Sequence, residues 1–122
     1  MKVRLKSAGL KVTDFDAMVR FYRDDLGLPV SSLKDGTADR KSCVFDLEGV
    51  SFYLRWDSES ASVSARASTA RLDFVVDDVD AVYARLTGRG VTCKGPPHRT
   101  GSGVKGFSVR DPEGNVLHIL AG

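Results

Sequence analysis

TDFDAMVRFYRDDLG, residues 13–27, and DDVDAVYARLTGRG, residues 77–90, decide the fold, because they read as one element written twice. In the first, Phe15, Met18, Val19 and Tyr22 recur at helical spacing. Thr13 or Asp14 can cap the helix, Asp16 adds negative charge to its first turn, and Gly27 ends it. In the second the same order holds, with Gly90 at the end. DFDA at 14–17 matches DVDA at 78–81, a separation of 64. A second match follows: GVSFYL at 49–54 and GNVLHI at 114–119 are separated by 65. Two matches at nearly the same offset indicate an internal duplication of a module of roughly 55 residues.

Working outward, each helix has a strand before it and three after it. Residues 3–12 alternate apolar and polar residues through Val3, Leu5, Ala8, Leu10 and Val12, with a slip near Lys6-Ser7. LPVSSL, RKSCVFDLEG and VSFYLRWD follow the first helix, with Asp35-Gly36 and Glu48-Gly49 as natural turns. ARLDFVV precedes the second helix, and VTCKG, GVKGFSVRD and NVLHILA follow it, the last two joined across DPEGN. Between the halves lies SESASVSARAST, residues 58–69, small, polar and low in complexity. The expectation is one domain over 1–122, with module one at 1–57, a linker at 58–69 and module two at 70–122. Its fold class is α+β, two βαβββ modules forming a cupped, partly open mixed sheet.

Composition removes several function classes. Hydrophobic residues make up 42% and charged residues 28%, which suits a globular chain, and 122 residues suffice for one real core. No run of about 18 apolar residues is present to cross a membrane as a helix. The N-terminal MKVRLKSAGLKV alternates rather than forming a signal-peptide core, so a cytoplasmic protein is expected. The net charge is +2 with basic residues scattered, and nucleic-acid binding is not expected without a basic stripe. Cys43 and Cys93 are the only cysteines, neither has a CxxC or Cys/His neighbour, and they are expected as reduced, mostly buried thiols in strands, with a disulfide or a zinc site as the alternative.

VTDFDAMVRFYRDDLGL, VDDVDAVYARLTGRGV and VRDPEGNVLHIL resemble the two helices and the closing hairpin of the glyoxalase/bleomycin-resistance/extradiol-dioxygenase proteins, the vicinal oxygen chelate superfamily. The resemblance runs from about Val3 to Leu120. It implies two βαβββ modules in a cupped sheet, usually in a homodimer. In enzymes of that family one divalent metal sits on the inner face, held by a His on the first strand and a Glu on the last strand of each module. Carried onto this chain, those four positions are Ser7, Tyr53, Arg71 and His118. A serine hydroxyl is a poor ligand for such metals, and a phenol must first lose a proton of pKa about 10. A guanidinium has no lone pair to give and repels a cation. Only His118 coordinates easily, and the chain holds just His98 and His118 in all, so no metal and no other cofactor is expected.

Strand alternation extends the inner list to Ser51 and Arg55 beside Tyr53, Asp73 and Val75 beside Arg71, Gly9 and Lys11 beside Ser7, and Val116 and Leu120 beside His118. Phe52, Leu54 and Trp56, like Leu72, Phe74 and Val76, would face the helices. The expected ligand-binding set is therefore Ser7, Lys11, Tyr53, Arg55, Arg71, Asp73 and His118. Its cations, Lys11, Arg55, Arg71 and His118, face one acid, Asp73, which favours an anionic or aromatic ligand. The blander alternatives are specific. Arg71 can serve as a structural ion pair with Asp73 or Asp57, Tyr53 as filling, and His118 as a hydrogen-bonded core histidine. Trp56 reads as core or dimer contact, or as a stacking platform. His98, in GPPHRTGSG, reads as an exposed loop residue or part of a cover over the trough.

Three functions follow. The first is a metal-independent small-molecule binder that, like the bleomycin-resistance members, sequesters an antibiotic or other ligand in a dimer cleft. The second is a glyoxalase-like lyase or isomerase, or a dioxygenase-type enzyme, using His118 as a catalytic residue, for which no second catalytic group is evident. The third is an accessory dimer without a ligand.

Overall fold

The computed structural model describes residues 1–59 and 70–122. The expected linker therefore lies, from residue 60 on, outside the described residues. The chain divides into two compact units, Met1–Ala67 and Ser68–Gly122.

Unit one contains β1 (Ser7–Lys11), α1 (Phe15–Val19), β2 (Val30–Lys34), β3 (Arg40–Leu47) and β4 (Val50–Asp57). Unit two repeats the order with β5 (Arg71–Val76), α2 (Val79–Gly88), β6 (Cys93–Arg99), β7 (Lys105–Arg110) and β8 (Val116–Ala121). The sheets carry the same permutation, β1-β4-β3-β2 and β5-β8-β7-β6. In each, the first strand runs parallel to the last and the other pairs are antiparallel. The duplication read from the sequence is thus present at the level of hydrogen-bond topology.

The sequence matches have local causes. Asp14 and Asp78 cap the two helices, accepting from the backbone N–H of Ala17 at 3.1 Å and of Ala81 at 3.0 Å. Gly49 and Gly114 occupy equivalent turns before the last strand of each unit, with φ of 89° and 88°, a conformation that L side chains rarely adopt. The core of unit one joins Phe15, Met18, Val19 and Tyr22 from the helical segment to Cys43, Phe45, Phe52 and Leu54 from the sheet. The Tyr22 ring lies 5.2 Å from Phe52 and 6.2 Å from Phe45, centroid to centroid. In unit two, Leu86, Phe107, Val109, Leu117 and Ile119 are buried, and Tyr83 packs edge-on to Phe107 at 5.3 Å. Each large buried apolar side chain stabilises the fold by roughly 1.5–3 kcal/mol.

Three readings need correction. The first strand begins at Ser7, and Val3 and Leu5, which looked like its start, are 77% and 63% exposed, since alternation without a facing strand does not make a ladder. The first helix is α-helical only to Val19 and widens to π-type turns over Arg20–Asp25, where the Leu26 N–H reaches the Phe21 carbonyl at 2.8 Å. Finally, His98 does not lie on a loop. It stands in β6 opposite Gly106 of β7, and the backbone irregularity falls between Lys94 and His98.

Candidate functional site

In unit one the parallel ladder sets Ser7 beside Ser51, Gly9 beside Tyr53 and Lys11 beside Arg55. The alternate residues Phe52 and Leu54 are buried toward the helix, whereas Ser51 and Tyr53 are half-buried and Arg55 is exposed. The six paired residues therefore share the face away from the helix, as strand alternation requires. Across β3 the same face continues through Asp46, Val44 and Ser42 opposite Ser51, Tyr53 and Arg55.

In unit two, Arg71 lies beside Val116, Asp73 beside His118 and Val75 beside Leu120. Leu117 and Ile119 are fully buried on the other side. Arg71, Asp73 and Val75 are exposed, and His118 is half-buried. Arg55 and Arg71 thus stand on the helix-free sides of their sheets. Among the expected residues, Ser7, Lys11, Tyr53 and Arg55 are brought together in unit one, and Arg71, Asp73 and His118 in unit two.

Electrostatically, the faces are less positive than alternation suggests. Lys11 Nζ lies 3.7 Å from Asp57 Oδ2, and Arg71 Nε donates to Asp73 Oδ1 at 3.1 Å. Asp57 was absent from the expected lining although it follows Arg55 by two positions on the same strand face. Arg55 has no carboxylate partner among the described residues. Of the two acids weighed as partners for Arg71, it is Asp73 that pairs with it, at an exposed position. Trp56 is not part of the buried core; its ring is half-buried, with Lys41 Nζ 5.2 Å from the ring centroid.

His118 has Asp73 on one neighbouring strand and Ser108 on the other. No side-chain hydrogen bond joins these three among the described residues, and Asp73 is engaged by Arg71. The row is therefore not a connected nucleophile–base–acid chain. Among the described residues, no side-chain hydrogen bond is made by the half-buried imidazole of His118. Ser108, like Ser42, was invisible to the sequence reading, because membership of a face across β3 or β7 depends on cross-strand register.

The donor set does not fit the divalent metal that the fold family implies. Unit one offers a hydroxyl at Ser7 and a phenol at Tyr53; unit two offers a guanidinium at Arg71 and an imidazole at His118. One of the four is a good neutral donor and one is a fixed cation. Among the described residues, no group of three or more His, Cys, Asp and Glu side chains is gathered as a metal would need. Burial pushes the thiols of Cys43 and Cys93 up, away from the ligating thiolate.

Comparison with known proteins agrees with this architecture. The family model "Glyoxalase/Bleomycin resistance protein/Dioxygenase superfamily" matches residues 4–119. An uncharacterized protein of Bacillus subtilis, YraH, is 31% identical, the alignment covering 96% of this chain and 97% of that one. The solved structure of TnmS3, an antibiotic binding protein from a Streptomyces species, superposes with a TM-score of 0.77 at 24% identity, covering 98% of this chain and 96% of that one. That of a lactoylglutathione lyase from Agrobacterium tumefaciens gives a TM-score of 0.74 at 24% identity, covering 99% and 95%. At such identities the structural likeness speaks for the fold, on which binding proteins and enzymes are both built.

Proposed function

The chain belongs to the glyoxalase/bleomycin resistance protein/dioxygenase superfamily, and from that premise we propose that it is a metal-independent small-molecule-binding protein, taking an anionic or aromatic ligand on the helix-free faces of its sheets. The observation that carries this reading is the donor set. Where metal-dependent members of the fold are expected to present imidazole and carboxylate, this chain presents Ser7, Tyr53, Arg71 and His118. The same face of unit one offers groups suited to an organic ligand: the half-buried Tyr53 ring, and Arg55 with its fork of donors. The ligand class includes antibiotics, the class named for TnmS3, which shares the fold. Sequestration of such a ligand, in a homodimer, within the cytoplasm, is the form of the proposal most directly open to test.

The test is elemental analysis of protein purified without a histidine tag and without chelators, followed by thermal denaturation with added zinc and nickel. A metal-free protein whose melting temperature ignores both ions, but rises with an anionic aromatic compound, supports the proposal. A ligand at a hundredfold excess over its Kd adds roughly 2.7 kcal/mol. Near-stoichiometric metal, or stabilisation by zinc, overturns it in favour of a metalloenzyme.

A further inference from the structure

Strand register in unit one assembles a group of cations that spacing along the chain does not reveal. Lys34 pairs with Ser42, Ser42 with Arg55, and Arg55 with Lys11. These four residues form a single row across all four strands, three of them positively charged. Like charges directly opposite on adjacent strands repel each other, and in this row that applies to Lys11 and Arg55. Lys11 is relieved by Asp57 at 3.7 Å. Lys34 and Arg55, on either side of Ser42, have no carboxylate partner among the described residues.

The row opens into a cleft of about 820 Å³ lined by residues of the β2–β3 turn and the adjoining strand ends, including Lys34, Arg40, Ser42, Arg55 and Trp56. That volume is in the range of small-molecule sites, roughly 300–1,000 Å³. The lining contains four cations, counting Lys41, against two carboxylates, Asp39 and Asp57. Lys41 lies over the Trp56 ring and Asp57 is engaged by Lys11. Asp39 remains as one carboxylate of the lining, and Arg40 stands opposite Asp57 on the adjacent strand. Lys41 apart, the lining cations without a carboxylate partner or cross-strand acid among the described residues are therefore Lys34 and Arg55, on either side of the half-buried Ser42 hydroxyl. Two fixed cations with a hydroxyl donor between them match an oxyanion, since guanidinium binds such groups with two parallel bonds and ammonium as a point charge.

We propose that this cleft is an oxyanion-binding site, taking the phosphate or carboxylate group of a small organic molecule between Lys34 and Arg55 over Ser42, with Arg40 at its rim. The inference rests on the binding reading above only through Arg55, and it gives the ligand an acidic end and a place for it.

The experiment is a backbone-amide NMR titration of the full chain with pyrophosphate at constant ionic strength. Expected are saturable shifts at residues 34–42 and 55–57, with Lys34→Gln and Arg55→Gln each weakening binding roughly five- to tenfold. Lys2→Gln, the same charge change outside the cleft, should leave the Kd unaltered. Shifts that do not saturate, or a loss with Lys2→Gln equal to that with Lys34→Gln, would overturn the site as mere surface charge. A parallel titration with indole separates the two readings. Indole binding that Tyr53→Ala abolishes, with pyrophosphate silent, removes the oxyanion site and leaves the binding protein. Pyrophosphate binding that Tyr53→Ala spares, with indole silent, keeps the site and removes the aromatic face.

Discussion

The Tyr53 ring lies across Gly9 on the neighbouring parallel strand, so closely that a Cβ at position 9 would collide with Cδ2, Cε2 and Cζ of the ring. Glycine at position 9 is thus what lets the ring lie down along the sheet rather than stand away from it. Gly9 has no positive φ, so the requirement is space and not backbone conformation.

Gly9→Ala should displace the ring rather than unfold the protein. Tyr53 is half-buried and can swing toward solvent, so the stability cost should stay below about 1.5 kcal/mol. Aromatic ligand affinity should fall at least as far as in Tyr53→Ala. A loss of several kcal/mol of unfolding free energy in urea, with ligand affinity intact, would mean that the ring is structural filling.

Arg71→Ala breaks the ion pair with Asp73, whose side chains are 66% and 49% exposed. Exposed pairs contribute about 0–1 kcal/mol. Chemical denaturation should therefore show little change. An effect of Arg71→Ala on ligand binding that exceeds its effect on stability would assign the guanidinium to the ligand and not to Asp73.

The turn before β8 depends on Asp111 and Asn115, 4% and 8% exposed. Asp111 Oδ1 accepts from the N–H groups of Glu113 and Asn115, Oδ2 accepts from Asn115 Nδ2, and Asn115 Oδ1 accepts from the Ala70 N–H at 2.7 Å. Asp111→Ala leaves two backbone donors and an amide without their acceptor, and should cost roughly 2–4 kcal/mol. Asn115→Ala should cost less and should loosen the start of β5, seen as faster amide exchange at Ala70. Equal exchange there would show that the bond carries no weight.

The fully buried Cys43 thiol is pushed up by desolvation, only partly opposed by the positive charge of Arg23. A raised thiol in the folded state favours folding while the unfolded thiol is also protonated. That contribution is complete below the ordinary thiol range and is lost as pH rises toward the folded value. Wild-type stability should therefore fall more steeply than that of Cys43→Ala once pH passes about 8.5. Denaturant midpoints between pH 7 and 10 measure the difference, and parallel slopes would show that Cys43 does not contribute.

Much of the architecture was legible because its determinants are local. The caps at Asp14 and Asp78, the turn glycines at 49 and 114, and the alternation of Phe52 and Leu54 with Tyr53 and Arg55 act within a few residues. They could be counted directly, and counted twice because the module repeats. The departures arise where a local pattern competes with a partner elsewhere. Val3 and Leu5 alternate like a strand, yet lie outside β1, which pairs with β4 from Ser7 onward. His98 sits among glycines and prolines, yet β7 draws it into a ladder.

The sequence by itself determined the two-module plan and the faces of its strands, since residue identity and strand phase are properties of the chain, whereas the four positions Ser7, Tyr53, Arg71 and His118 are what the family resemblance implies. Tertiary structure alone decided which charges are neighbours. Lys11 meets Asp57, and Lys34 joins Arg55 across Ser42. Cross-strand register brings together residues far apart in sequence, and electrostatic energy depends on distance in space rather than along the chain.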